Sequence, residues 1–218
     1  MKHRLSTMVV LLALALAAGS AAQDLAPVAL PAPQTDGGKP LMQALKLRAS
    51  ARAFAPEPLP DQTLSNLLWA AWGINRPQEG KRTAPSARNW QEIDVLVVNA
   101  TGTYVYDATA HALKPLAAGD LRALAGTQDF VKGAPLDLVY VADVSRMEGG
   151  SDVQPMAYAD AAFIAQNVYL FCASEGLATV VRASVDRPAL AKALKLRDSQ
   201  LVVFAQTVGF PKKQRSPG

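Results

Sequence analysis

The sequence predicts an α+β domain built on a mixed sheet rather than a doubly wound one. Three observations carry this. Short apolar runs of strand character interleave with stretches of helical spacing. Two of the runs, 92–98 (EIDVLVV) and 103–106 (TYVY), lie close enough to form a hairpin across Asn99–Gly102. One long Ala-rich run, 156–174, is apolar on most faces, as a helix buried in a core or an oligomer interface is.

The elements follow in chain order. Residues 1–22 read as a signal peptide: Lys2 and Arg4 open it, Met8 to Ala18 form its apolar region, and Ser20-Ala21-Ala22 supply the small residues for cleavage after Ala22. The apolar run is too short for the roughly 20 residues of a membrane span. Export to the periplasm is the expectation, with no span left after cleavage. Residues 23–40, rich in Pro, Ala, Gly and Asp, are expected to be a flexible linker, and 214–218 a tail, around a domain over 41–213.

A first helix is expected near Pro40 through Leu41, Leu45 and Leu47. A second follows Pro60-Asp61, with Leu64, Leu67, Leu68, Ala71 and Trp72 at helical spacing and Gly73 as its stop. Residues 74–88, with Pro, Gly and several basic side chains, read as a surface loop. A third strand is placed near Leu113–Leu116, and Asp120 is expected to cap a short helix through Ala125. The run 136–142 (LDLVYVA) reads as a buried strand. Residues 143–155 are polar, carry Gly149-Gly150 and read as a mobile lid. After helix 156–174 and Gly176 come a strand at 177–183, a helix capped by Asp186 with Pro188 in its first turn, and a strand at 200–208 closed by Gly209 and Pro211.

Composition excludes several kinds of chemistry. The chain has 22 basic and 18 acidic residues, and loss of Lys2 and Arg4 with the leader leaves an excess of +2. That is too mild for nucleic acid. His111 is the one histidine after the leader and Cys172 the one cysteine, so no metal site is expected and a Ser-His-Asp triad would have to use His111. His111 reads as a solvated hairpin residue and Cys172 as a small buried hydrophobe. No G-x-G-x-x-G or phosphate-loop motif is present. With so few bases and nucleophiles, a cofactor is expected to carry whatever chemistry occurs.

Four segments stand out. Arg48-Ala49-Ser50-Ala51-Arg52 sets two guanidinium groups and a hydroxyl at a helix end, a donor set suited to phosphate, although a solvated helix end looks the same. Pro85-Ser86-Ala87-Arg88-Asn89-Trp90-Gln91 precedes a strand, and Asn89 could equally be a loop cap. Gln128 lies in Thr127-Gln128-Asp129-Phe130-Val131-Lys132, where it could equally sit on a helix surface. The C-terminal half holds Glu175-Gly176-Leu177-Ala178-Thr179, Val181-Arg182-Ala183 and Gly209-Phe210-Pro211-Lys212-Lys213; a frayed tail would also account for Lys212, Lys213 and Arg215.

In order and spacing these segments resemble the flavin-binding framework of the nitroreductase family, over about residues 41–213. They match its R-x-S-x-[RK], P-S-x-x-N-x-Q, A-x-x-x-G-L-G-T and G-Y-P stretches, except that Glu92 stands where the family continues with Pro-Trp. The phrase Leu67-Leu68-Trp69-Ala70-Ala71-Trp72-Gly73 resembles the SagB-like branch, the azoline dehydrogenases. The resemblance implies a mainly antiparallel central sheet flanked by helices and an intertwined homodimer with FMN at the interface, each site drawing on both chains. It implies that Arg48 and Ser50 bind the phosphate and Arg52 the O2/N1 edge of the flavin. Pro85, Ser86, Asn89 and Gln128 would bind the flavin, backbone donors near Val181, Arg182 and Ala183 would face N5, and Lys212 and Lys213 would add phosphate contacts. The expected activity is transfer of hydride or electrons between FMN and a small organic substrate. The alternative is a flavin-binding or flavin-free protein without catalysis on the same fold.

Overall fold

The structure, a computed structural model, describes residues 25–148 and 152–213. The expected leader with residues 23–24, the tail 214–218 and residues 149–151 of the expected lid lie outside the described residues. Among these, nine strands and four helices follow in the order β1 (Val28–Ala29), α1 (Leu41–Leu47), α2 (Asp61–Trp72), β2 (Ile74–Arg76), β3 (Lys81–Arg82), β4 (Ile93–Val98), β5 (Gly102–Asp107), β6 (Ala112–Ala118), β7 (Leu136–Asp143), α3 (Val153–Glu175), β8 (Ala178–Arg182), α4 (Arg187–Ala193) and β9 (Gln200–Gly209).

Seven strands form one sheet in the order β1-β6-β5-β4-β7-β9-β8. Every neighbouring pair in it is antiparallel. Period-two alternation decides its two faces. Val95, Val97, Leu138 and Tyr140 turn to one face, where α2 and α3 cover them. Leu96, Val98, Val139 and Val141 turn to the other, under α4 and the loop 121–134. A strand covered on both sides favours apolar residues on both faces, which is why β7 is apolar without a break from Leu138 to Ala142.

Helix α3 is the spine of the first layer. Ala157, Asp160, Ala161, Ile164, Ala165, Val168, Tyr169 and Cys172 recur at helical spacing and are buried. The alanines on that face let the helix lie close to the sheet. Gly176, at φ 72°, takes the left-handed C-terminal position that favours glycine. The opposite side leaves Met156 and Phe163 exposed, and α1 exposes Leu41, Met42, Leu45 and Leu47.

Three segments depart from expectation. Residues 25–40 are not a free linker: β1 pairs with the edge strand β6, and the segment then crosses α2. There the Ser65 hydroxyl donates to Pro31 O at 2.6 Å, Gln62 Nε2 to Ala32 O, and Asn66 Oδ1 accepts from the Gln34 amide at 2.8 Å. His111 is not solvated; at φ 46° it lies between Ser65 Oγ (2.7 Å from Nε2) and Tyr106 Oη (3.0 Å from Nδ1). The expected loop 74–88 contains the small hairpin β2–β3. The remaining elements match the sequence within a few residues, and the Asp120 cap precedes a 3-10 turn rather than an α-helix.

Candidate functional site

The first predicted segment lies along β8, the strand at the far edge of the sheet. The Ala51 amide donates to Thr179 O at 2.9 Å, the Ala55 amide to Phe210 O, and the Lys212 amide to Ala53 O at 3.1 Å. Phe54 bridges to Pro211. Segments from the two ends of the domain are therefore joined by backbone hydrogen bonds.

Tyr169 of α3 locks this joint. Its phenol oxygen lies 2.8 Å from Ser50 Oγ and accepts from the Val181 amide at 3.0 Å. The Arg48 guanidinium lies over the same ring, 5.2 Å from its centroid. Tyr169 is buried, so its hydroxyl requires partners, and it finds them on two different segments. Arg48 is half-buried; Ser50, Arg52, Lys212 and Lys213 are exposed. The outcome is a set of basic residues and a hydroxyl carried on segments that border β8.

Val181 and Arg182 take other parts than the one expected. The Val181 amide is already held by Tyr169. Because Thr179 O and the Val181 amide point off the sheet edge, strand alternation turns the Arg182 amide toward β9. The Arg182 side chain is buried beneath the sheet. Its Nη2 reaches Asp137 Oδ1 at 2.6 Å and Thr207 Oγ1 at 2.7 Å, and its Nη1 donates to Ala125 O at 2.7 Å. A Cβ on Gly126 would lie 1.9 Å from Nη1, so glycine there leaves room for the guanidinium. Burial pushes the Asp137 carboxyl up to about 6, against the opposing pull of Thr207 and Arg182. No sequence signal points to this core ion pair, since neither residue lies in a motif with the other.

The loop 122–134 covers the pair. Phe130 packs on Phe54, ring centroids 5.6 Å apart, and Arg182 lies over the Phe130 ring at 5.8 Å. Gln128 is half-buried and its Oε1 is shielded from solvent without a hydrogen-bond partner. A shielded amide oxygen is an acceptor for an external donor. The residue before Gln128 ties the loop to the end of β8, the Thr127 amide donating to Ser184 O at 3.2 Å, while Lys132 is exposed.

Pro85, Ser86 and Asn89 lie elsewhere. Their loop precedes β4, and β4 begins at Ile93 opposite Ala142, whereas the end of β4 is level with Asp137 and, across β9, with Val180 of β8. The loop meets α3 at Asp160, whose Oδ2 accepts from the Ala87 amide at 2.8 Å. Asp160 and Tyr169 are nine residues apart on α3, about 13–14 Å along its axis. Arg88, Asn89 and Gln91 all hold left-handed φ, between 51° and 58°. Gln91 Oε1 accepts from Arg82 Nε at 2.7 Å, and the Gln91 amide donates to Ser86 Oγ at 3.1 Å. Within one chain, then, the second segment is separate from the first.

Beneath that loop, Glu92 is fully buried, and neither of its carboxyl oxygens has a hydrogen-bond partner. Burial, with Asp160 beside it, pushes the Glu92 carboxyl up to about 7. Burial also raises Asp160. Among the described residues no group of His, Cys, Asp and Glu is arranged to hold a metal ion, and no helix is long and apolar enough to cross a membrane. A groove of about 400 Å³ between α1, α2 and α3 is lined by Lys39, Trp69, Asn167 and Phe171 among others, and by none of the predicted site residues.

Basic residues thus gather beside an edge strand of an antiparallel sheet layered by helices. Residues 45–210 match the model of the Nitroreductase family, and the chain belongs to that family. It is similar to a crystal structure from Ralstonia eutropha JMP134 described as a nitroreductase, with 43% identity, a TM-score of 0.82 and coverage of 86% of this chain and 90% of that one. A Methanocaldococcus jannaschii protein named as a nitroreductase is 27% identical over 176 residues, 75% of this chain and 88% of its own. The E. coli microcin synthetase McbBCD complex shares the fold, at 19% identity and a TM-score of 0.66 over 94% of this chain and 85% of that one. The chain is accordingly an oxidoreductase.

Proposed function

We propose that the chain is an exported, FMN-dependent oxidoreductase that works as a homodimer on a small organic substrate. The observation that carries this reading is the Tyr169 joint, which draws Arg48, Ser50 and the β8 edge together and sets Lys212 beside Ala53. The residues present fit the cofactor. Arg48, Arg52 and Lys212 provide cationic donors, and Ser50 a hydroxyl, for an anionic phosphate. The unpartnered Gln128 Oε1 suits a ring N–H. Bound flavin supplies hydride or single-electron transfer, chemistry for which this chain, with one histidine after its leader, offers no side-chain substitute.

The chain's own residues hold and tune. A fixed cation at Arg52 favours negative charge on the ring edge it faces, which raises the reduction potential. Phe54 and Phe130 form an apolar wall behind the edge. The 85–91 loop, on the far part of α3, reaches the site of a second copy. The apolar residues left exposed on α1 and α3 give that copy a surface to cover. The core phrase Leu67–Gly73 supports placing the substrate chemistry near that of the azoline dehydrogenases. Their substrate reduces the flavin directly, so no nicotinamide donor is needed outside the cytoplasm.

The test is an absorbance spectrum of protein purified from its own compartment, with release and identification of the chromophore. FMN at one per chain, a dimer by light scattering and a mature N-terminus at Gln23 are expected. A colourless protein that takes up no FMN on titration overturns the cofactor; a retained leader overturns export.

A further inference from the structure

The 85–91 loop rests on two carboxyl groups. Glu92 leads from the loop into β4, and Asp160 comes from α3. Both are buried, and they face each other. Asp160 Oδ2 takes the Ala87 amide, so Asp160 holds the loop to the helix. Glu92 has no donor for either oxygen. Two ionised carboxylates carry acceptors only, and side by side in a low-dielectric interior they repel. One proton changes the contact into an O–H···O⁻ hydrogen bond, which is short and strong.

The other charged groups nearby do not remove the conflict. Arg146 is the cation that faces Glu92, but its guanidinium forms paired bonds with Asp94 at 2.9 Å each and leans on Asp143 at 3.7 Å. Arg82, on β3, is held by Gln91 Oε1 and Trp72 O. Among the described residues the one histidine, His111, is engaged elsewhere, with Ser65 and Tyr106. The loop itself carries left-handed residues at Arg88, Asn89 and Gln91, a conformation that persists only where its surroundings hold it.

We propose that Glu92 and Asp160 share one proton and act as a positioning pair, holding the 85–91 loop in shape while the proton is present and releasing it when the second carboxyl ionises. The upward displacement of both carboxyl groups places that release near neutral pH. Where the loop serves FMN, which rests on the function proposed above, its grip on flavin weakens as the pH rises.

The experiment follows amide exchange of the 85–91 peptide in full-length flavin-free protein, corrected for intrinsic rates, from about pH 6 to about pH 8.5. FMN titrations run alongside. Wild-type protection is expected to fall about tenfold across this range, as when one ionisation breaks one hydrogen bond. Glu92→Gln keeps a donor facing Asp160 at every pH, so its protection and its FMN affinity stay within about twofold over the same range. A wild-type loop indifferent to pH, or a Glu92→Gln loop with the wild-type pH dependence, overturns the pair. Should Glu92→Gln fail to fold, the infrared band of a protonated carboxyl in wild type decides: it must be present at pH 6 and fade by pH 8.5, and its absence at pH 6 overturns the proposal. A pH-dependent loop in a protein that binds no FMN at any pH would leave the pair standing and remove the flavin reading.

Discussion

At the β8 edge Ser50, Tyr169 and the Val181 amide bond one another, and backbone hydrogen bonds tie 51–55 to the strand and to 210–212. In the loop before β4 the reverse holds: Glu92 is buried without a donor, and Arg88, Asn89 and Gln91 adopt left-handed backbone. Both regions carry motif residues of the same family. The first is tied together by the chain's own groups and keeps the Gln128 Oε1 as a shielded acceptor without a partner. The second is left with a frustrated carboxyl and an exposed Asn89. Unmet polar groups in a native structure mark places where a proton, a ligand or a second chain completes the bonding.

The largest way to break this contrast is to leave the β8 side a frustrated charge of its own. Asp137→Ala strands the buried Arg182 guanidinium and should cost about 3–5 kcal/mol in urea unfolding. A loss below about 1 kcal/mol would mean that Arg182 finds solvent, contrary to its burial. Next, Arg48→Ala should weaken FMN binding by about 1.5–3 kcal/mol, read by fluorescence titration, with little change in unfolding midpoint. Unchanged affinity would take Arg48 out of the site.

The pH dependence sharpens the other side. The Glu92 carboxyl sits at about 7 in the fold and near the ordinary carboxylate value when unfolded. The folded chain therefore favours the acid form. The stability from that preference is complete below the unfolded pKa and is lost as pH rises through 7. Glu92→Gln should gain stability on the order of 2 kcal/mol at pH 8.5 relative to wild type, and little at pH 5. Equal stability curves would show that the carboxyl is solvated. The smallest effect belongs to Tyr169→Phe. It removes one hydroxyl from between Ser50 and Val181, costs about 1 kcal/mol in unfolding and loosens FMN binding to a similar degree.

Much of the scaffold is legible in the sequence. Leu64, Leu67, Leu68, Ala71 and Trp72 announce α2, Gly176 the end of α3, and the Asp186-Pro188 pair the start of α4. Each depends on local backbone geometry or a short period, which neighbouring residues encode. Residues 25–40 are not legible in this way, because Pro and Gly composition describes a free chain, while β1 and the bonds from α2 come from partners distant in sequence. His111 departs from expectation for the same reason: its two partners, Ser65 and Tyr106, come from a helix and a strand that only folding brings to it.

The candidate site divides in the same way. The sequence by itself determined which residue types are at hand: the Arg48–Arg52 segment, the 85–91 loop, Gln128 and the Lys212-Lys213 pair, in family order. It also determined the exclusion of histidine- and cysteine-based chemistry. Only the tertiary structure decided that Tyr169 joins the Arg48–Arg52 segment to β8, that Arg182 turns inward to Asp137, and that the 85–91 loop sits on Asp160, away from that joint. The reason is physical. Residue identity and short-range spacing are written along the chain, but burial and hydrogen-bond partnership depend on distances across it. Those distances are fixed by how the sheet and α3 pack.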